Sequence, residues 1–282
     1  MHDLPGRVLI EADDLVIEGF SLDLGTGQVL SDEALHSTRY ISTVLAEYEA
    51  RDIRIKVESD LPTAGGLGSS AAIVVATIAA LNQHLGLGLS HRDIASEAHR
   101  IEKAVQQGLG SAMDTALATF GGYLLVSKEI QSIDLPQLEM IVGCTKQPHD
   151  TRSEVLKVQR LRARYPDLVD PIFQAMGAIS ARAIPLIREH RLMELGELMN
   201  VNHGLLEAVG VGTRDLSELV YAARGAGGAL GAKLTGAGGG GCMIALPTPL
   251  GTNALITSLR QARGLAFAVK TGCEGVRLEM EL

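Results

Sequence analysis

An α+β protein in two parts is the architecture this sequence predicts, on three observations. Its 282 residues exceed the ~100–200 of a typical domain. Short β-rich stretches that alternate in polarity, such as Ile53-Arg54-Ile55-Lys56-Val57-Glu58, are interleaved with apolar stretches of helical period. Around Asp134–Pro136 the pattern resets, which divides the chain into domains 1–137 and 138–282.

The elements follow in order. Arg7–Ala12 and Leu15–Phe20 read as strands. Glu33–Ala50 reads as a helix, because Ile41, Val44, Leu45 and Tyr48 recur at i, i+3, i+4, i+7. The strand Arg54–Glu58 has one wet face, as in an antiparallel or mixed sheet. A helix spans Ser69–His84, and Ser90 caps another over His91–Gln106. Thr115–Thr119 reads as a short turn or helix and Gly122–Ser127 as a strand. The second part opens with a strand at Met140–Gly143. Helices follow at Ser153–Tyr165, Pro171–Glu189, Leu192–Leu206 and Thr213–Gly225. A strand at Cys242–Leu246, a helix at Asn253–Ala262 and strands at Ala266–Lys270 and Val276–Glu281 complete the chain.

Composition excludes several functions. The net charge is −8, no basic stripe is present, and aromatic residues are few and include no Trp. Nucleic-acid binding and a basic membrane-surface patch are therefore not expected. The longest apolar run, Ala71–Leu81, is shorter than the ~20 residues a bilayer span needs. Met1–Phe20 carries acidic residues where a signal peptide is apolar. Cys144, Cys242 and Cys273 read as three thiols, odd in number and widely spaced without a CxxC, so neither zinc nor a redox pair is indicated and a cytoplasmic location is expected.

Four segments carry candidate chemistry. Gly65–Ala72 (GGLGSSAA) places free backbone N–H groups and two hydroxyls at a helix start; it reads as a phosphate cradle or as a glycine turn with serine caps. Asp114 in Ser111–Thr115 reads as a general base or as a helix N-cap. Glu102 reads as a magnesium ligand or as part of a solvated helix face. The run Lys233–Cys242 (KLTGAGGGGC) holds five glycines, more than a structural turn needs, and suits close backbone approach to a ligand or another loop. The Walker A pattern is absent. GxGxxG/A matches at Gly66–Ala71 and Gly236–Gly241, but neither sits between a buried parallel strand and a helix as a dinucleotide site requires. His84, His91 and His99 lack carboxylate or thiolate company at ligand spacing. No GxSxG or Cys–His arrangement supports hydrolysis.

Together, Pro62–Ala72, Met113-Asp114-Thr115 with Thr119–Gly122, Met199–Leu206 and Gly231–Cys242 resemble, in this order, the GHMP kinase superfamily. The likeness covers residue 7 to the C-terminus and is greatest to archaeal-type mevalonate kinases. The resemblance implies an N-terminal α+β domain and a ferredoxin-like second domain. It implies ATP-dependent phosphorylation of mevalonate, with ATP and Mg²⁺ as cofactors and a homodimer as the assembly. Carried over by residue, Pro62, Gly65, Gly66, Leu67, Gly68, Ser69 and Ser70 hold ATP, and Gly236, Gly238 and Gly239 support that loop. Ser70 and Glu102 hold Mg²⁺, Asp114 activates the mevalonate C5 hydroxyl, and Thr115 lies near the substrate. Sister activities on phosphomevalonate, homoserine or a sugar stand as alternatives, as does nucleotide binding without turnover.

The sequence departs from the family at two places. Members begin with a segment of the type PGK…GEH that carries a catalytic lysine. Here Pro5-Gly6-Arg7 is followed by no such pattern, so the expectation is that this segment is missing. Glu102 also lies twelve residues before Asp114, with Gln106-Gln107 where one residue is expected.

Overall fold

The computed structural model describes residues 8–12, 21–23, 28–29, 35–51, 53–59, 66–126, 129–145, 151–225 and 227–279. The strand expected at Leu15–Phe20 lies outside them. The described residues divide into two compact units. One holds those up to 59, 68–130 and 274–279; the other holds 66–67 and 131–273.

In the first unit, β1 (Val8–Ala12), β2 (Ser21–Asp23), β3 (Gln28–Val29) and β4 (Ile53–Val57) form a mixed sheet in the order β3-β2-β1-β4. β1 runs parallel to β4, from Val8↔Ile53 to Ala12↔Val57. On β4, Ile53 is buried while Arg54 and Lys56 are exposed, so the expected wet face is real. α1 (Leu35–Glu47), α2 (Ser69–Leu85) and α3 (His91–Val105) enclose one apolar core. Ile41, Val44 and Leu45 of α1 meet Val74, Ile78 and Leu81 of α2 and Ile94, Ala98 and Ile101 of α3. Each Ile, Leu or Val among them contributes roughly 1.5–3 kcal/mol on burial. Ser90 and Asp93 form a reciprocal capping box at the start of α3. Asn82 holds both the N–H and the C=O of Leu89, at 2.8 and 3.0 Å, and this fixes α3 against α2.

α4 (Ala112–Phe120) starts earlier than the sequence suggests, because Ser111 caps it. β5 (Tyr123–Val126) and β6 (Ile130–Ile133) follow. The strand expected at Val276–Glu281 is not formed at residues 276–279. The Val276 amide donates instead to Ala118 and Thr119 carbonyls at 3.0 and 3.2 Å, and its side chain packs on the first core.

The second unit is built on β7 (Glu139–Cys144), β8 (Ala229–Leu234), β9 (Cys242–Pro247) and β10 (Leu265–Lys270). They form an antiparallel sheet in the order β10-β7-β9-β8, which is the ferredoxin-like order. α5 (Thr151–Arg164), α6 (Pro166–Arg188), α7 (Leu192–Ala208) and α8 (Arg214–Gly225) connect β7 to β8, and α9 (Thr252–Gln261) connects β9 to β10. α6 begins before Pro171 because Pro166 supplies the first helical φ; Pro171 then costs an internal hydrogen bond. One sheet face packs Ile141, Leu234 and Met243 on Leu216, Leu219 and Leu255. The other packs Met140 and Leu246 on Leu186, Leu195 and Met199.

β8 is the edge strand the sequence hid. Its Ala-Leu-Gly-Ala composition carries no β-branched residue. α7 creates it from outside: Asn200 Oδ1 accepts from Ala232 N at 3.0 Å and His203 Nδ1 from Leu234 N at 3.3 Å. A Cβ on Gly231 would stand 2.1 Å from the Gly196 carbonyl, so both glycines are needed for the helix to lie this close. Arg224 adds a bond from its guanidinium to the Ala232 carbonyl at 2.8 Å.

The reading of Cys144, Cys242 and Cys273 as three separate thiols is corrected. Cys144 and Cys242 face each other in the β7–β9 register and form a disulfide, while Cys273 is free and exposed. A separation of 98 residues gives no local signal of that pairing.

Candidate functional site

The site grows from the start of α2. Gly68 is its N-cap in the left-handed region (φ 75°), with no side-chain cap, and the first turn has no acidic residue. The positive end of a 17-residue helix is thus left to an anion. Ser69 and Ser70 open the helix, and the Ser70 hydroxyl turns toward α3.

Glu102 receives it. On α3 the buried stripe Ile94, Ala98, Ile101, Val105 includes Glu102, which is 1% exposed, so the solvated-face reading is overturned. Ser70 Oγ donates to Glu102 Oε1 at 2.8 Å, Gln106 Nε2 donates to the same oxygen at 3.1 Å, and Ser111 N donates to Oε2 at 3.0 Å. Burial raises the Glu102 pKa; these donors pull it back, and the charge of Asp114 pushes it up. Gly110 lets the chain lie on α3, since a Cβ there would come within 2.6 Å of Lys103 N.

Asp114 is not the N-cap of α4. Ser111 is, accepting from Asp114 N at 3.2 Å, and Asp114 lies in the first turn. The Cβ position of Gly68 is 3.8 Å from Asp114 Oδ1, so this carboxyl stands against the glycine loop. Burial raises its pKa, and the Ser111 bond partly offsets this. A desolvated carboxylate is a stronger base than an exposed one. Thr115, the next residue, is 1% exposed, and its hydroxyl donates to the Ser111 and Ala112 carbonyls at 3.2 and 3.3 Å.

The glycine run makes its own contacts. A Cβ on Gly236 would stand 2.7 Å from the Gly66 carbonyl, one on Gly238 2.3 Å from the Val211 carbonyl, and one on Gly239 2.6 Å from Glu154 Cγ. All three glycines have φ between 72 and 77°, so geometry and space both exclude side chains. The segment is pinned at its end by two bonds from Thr145 to the Gly241 carbonyl, at 2.8 and 3.0 Å. Leu67 packs on Val142, Cys144 and Cys242, so its side chain is an apolar anchor for the loop. Pro62 and Gly65 lie outside the described residues.

Four expected residues are thus assembled with donors that sequence reasoning missed. Ser70, Glu102, Asp114 and Gly68 come together, and the donors the sequence does not single out are the Gln106 side-chain amide and the Ser111 N–H. Their signal was available in one case: Gln106 is four residues after Glu102, one helical turn along. One carboxylate and one hydroxyl beside a second carboxylate suit Mg²⁺, which prefers one or two carboxylates and takes its other oxygens from phosphate or water. Among the described residues no three His, Cys, Asp or Glu side chains cluster as a metal cage.

Comparison with known proteins gives the chain a family context. The family model for the GHMP kinases N terminal domain matches residues 36–122, and that for the GHMP kinases C terminal matches 183–263. Mevalonate kinase of Pyrococcus horikoshii is 39% identical over 289 residues, covering 97% of this chain and 85% of that relative. Mevalonate kinase of Thermococcus sibiricus is 38% identical, covering 97% and 86%. The crystal structure of L. major mevalonate kinase in complex with R-mevalonate shares the fold, with a TM-score of 0.79 at 23% identity, over 97% of this chain and 85% of that one.

Proposed function

The chain belongs to the GHMP kinases and, among them, to the mevalonate kinases, and from that premise we propose that it transfers the γ-phosphoryl group of ATP to the C5 hydroxyl of mevalonate. The product is 5-phosphomevalonate, an intermediate of isoprenoid biosynthesis.

The observation that carries this reading is the Ser70–Glu102 pair at the open start of α2, with Asp114 held against Gly68. Gly66, Gly68, Ser69 and Ser70 hold the nucleotide phosphates, and Pro62 and Gly65 complete the ATP-binding set. Leu67 anchors that loop, and Gly236, Gly238 and Gly239 support it. Ser70 and Glu102 hold Mg²⁺, which when bound neutralises charge on the phosphate oxygens. Asp114 accepts the proton of the C5 hydroxyl as its oxygen bonds to the γ-phosphorus, and the bond from that phosphorus to the ADP oxygen breaks. Positioning and charge neutralisation suffice for such a transfer, and the protein forms no covalent bond. Thr115 acts beneath the site by fixing the first turn of α4.

Beyond this, we place the enzyme in the cytoplasm as a homodimer. No described helix is long and apolar enough to cross a membrane. In a reducing cytoplasm the Cys144–Cys242 bond persists only if the folded sheet shields it from reduction. Thiol alkylation in fresh cell extract, and light scattering of the pure protein, test these two points.

The deciding experiment is coupled ADP release from ATP and Mg²⁺ with mevalonate, phosphomevalonate, homoserine and galactose as separate acceptors. Turnover with mevalonate alone is expected, and preference for another acceptor reassigns the substrate. Nucleotide binding without ADP release from any acceptor makes the chain a binding module.

A further inference from the structure

The hydrogen bonds around Glu102 include one that no catalytic role accounts for. Gln106 is the C-cap of α3, and its backbone N–H donates to the Glu102 carbonyl at 2.9 Å. Its side chain folds back along the same turn, so that Nε2 meets Glu102 Oε1 at 3.1 Å. The same nitrogen reaches Tyr40 Oη of α1 at 3.3 Å. An amide nitrogen has two protons, and here one goes to each partner. Tyr40 is half-buried against the first core, and burial raises its pKa. The next residue, Gln107, takes a left-handed φ of 53°, which is unfavourable for a side chain larger than glycine. The chain thus turns sharply just after placing the Gln106 amide between α1 and α3.

We propose that Gln106, braced by Tyr40, is the positioning residue for the metal-binding carboxylate of Glu102. The proposal rests on the reading of Ser70 and Glu102 as metal ligands. Three donors fix the carboxylate: Ser70 and Gln106 on Oε1, and Ser111 N on Oε2. Ser70 must turn its oxygen to the cation to act as a ligand, and it then gives up its bond to Glu102. Gln106 is the side chain that still holds Oε1. Without it the carboxylate rotates about the Ser111 bond, and the cation meets a ligand whose direction is no longer set. Partners that orient a metal ligand in this way typically contribute ~10–100-fold in metal affinity.

The test is a Mn²⁺ titration of the full chain with ADP, read by electron paramagnetic resonance, together with ADP affinity without metal and melting temperature. Gln106→Met keeps the side-chain length and removes both donors. It is expected to raise the Mn²⁺ Kd at least ~10-fold, with metal-free ADP affinity unchanged. Tyr40→Phe is expected to raise the Mn²⁺ Kd less, in the same direction. It carries the test alone should Gln106→Met fail to fold: an unchanged Kd then overturns the proposal. Glu102→Gln separates the two levels. If Glu102→Gln weakens Mn²⁺ and Gln106→Met does not, positioning by Gln106 is wrong and the ligand reading stands. If Glu102→Gln leaves Mn²⁺ binding intact, the ligand reading itself fails and takes the proposal with it. An equal loss of metal-free ADP affinity in Gln106→Met overturns the proposal by making the residue merely structural.

Discussion

Ser70 and Glu102, 32 residues apart in sequence, meet through a 2.8 Å hydrogen bond that joins the first turn of α2 to the buried face of α3. Ser70→Ala removes that donor together with the proposed metal-ligand oxygen. Turnover is expected to fall ~10²–10³-fold, the usual effect of deleting one preorganised electrostatic contact. A stability loss of about 1–3 kcal/mol accompanies it, because a buried acceptor loses a donor. Steady-state kinetics at saturating Mg²⁺, with urea unfolding, check both; turnover within twofold of wild type would remove Ser70 from the site.

Asp114→Asn separates activity from stability. Loss of the base is expected to lower turnover ~10²–10⁴-fold with near-normal ATP affinity. The folded-state pKa of Asp114 is raised by burial. Its favourable contribution is therefore present below the unfolded pKa of ~3.9 and lost as pH rises through the folded value. At pH 7 the ionised group is a liability, so the variant melts at a higher temperature than wild type. An inactive variant that melts lower contradicts the stability argument.

Gly236→Ala tests the contact with the Gly66 carbonyl. A side chain at φ 72° costs about 1–2 kcal/mol before any clash, and its Cβ would be 2.7 Å from that oxygen. The expected result is a raised KM for ATP together with a lower melting temperature. An unchanged KM for ATP would separate the glycine run from the phosphate loop.

His203 makes the second unit sensitive to acid. Burial lowers its pKa first of all, Arg224 and Lys233 lower it further, and Glu207 opposes them. Its neutral Nδ1 accepts from Leu234 N, and protonation removes that acceptor. The favourable contribution is present above the unfolded pKa of ~6.5 and lost as pH falls through the folded value. Between pH 7 and 5 the wild type is expected to lose more stability in urea than His203→Gln does. Parallel losses would show that another group governs the acid response.

Reduction of Cys144–Cys242 should destabilise the protein strongly. Closing a loop of this length contributes ~4–5 kcal/mol in the chain-entropy account. Dithiothreitol is expected to lower the melting temperature by roughly 10 °C, at about 2–4 °C per kcal/mol. Cys273→Ala changes neither value. A melting curve indifferent to dithiothreitol argues that the thiols are reduced in the purified protein.

What was legible in the sequence was whatever is encoded within a few residues. The α1 stripe of Ile41, Val44 and Leu45, the α3 cap at Ser90 and the alternation of β4 are local patterns, and all three hold. β8 was not legible because its pairing is enforced by Asn200 and His203 from another element. The Val276 segment failed for the same kind of reason: its alternation is genuine, but its backbone bonds go to the end of α4. At the site, Glu102 was visible as a carboxylate but not as a buried one. Placing it on the stripe of Ile94, Ala98, Ile101 and Val105 would have shown this. The disulfide had no short-range signature.

That disulfide sets a timetable for synthesis. A ribosome adds roughly 5–20 residues per second, so Cys144 exists for about 5–20 s before Cys242 is made. Throughout that interval β7 has none of its sheet neighbours, since β9 begins only at Cys242 and β10 follows it. Cys273 follows Cys242 by only a few tens of residues and competes as a partner. Early oxidation therefore traps Cys144 in intermolecular or mispaired bonds, whereas late oxidation, after the sheet has set the register, gives the native pair. Expression followed by controlled oxidation should yield more native protein than synthesis directly into an oxidising compartment.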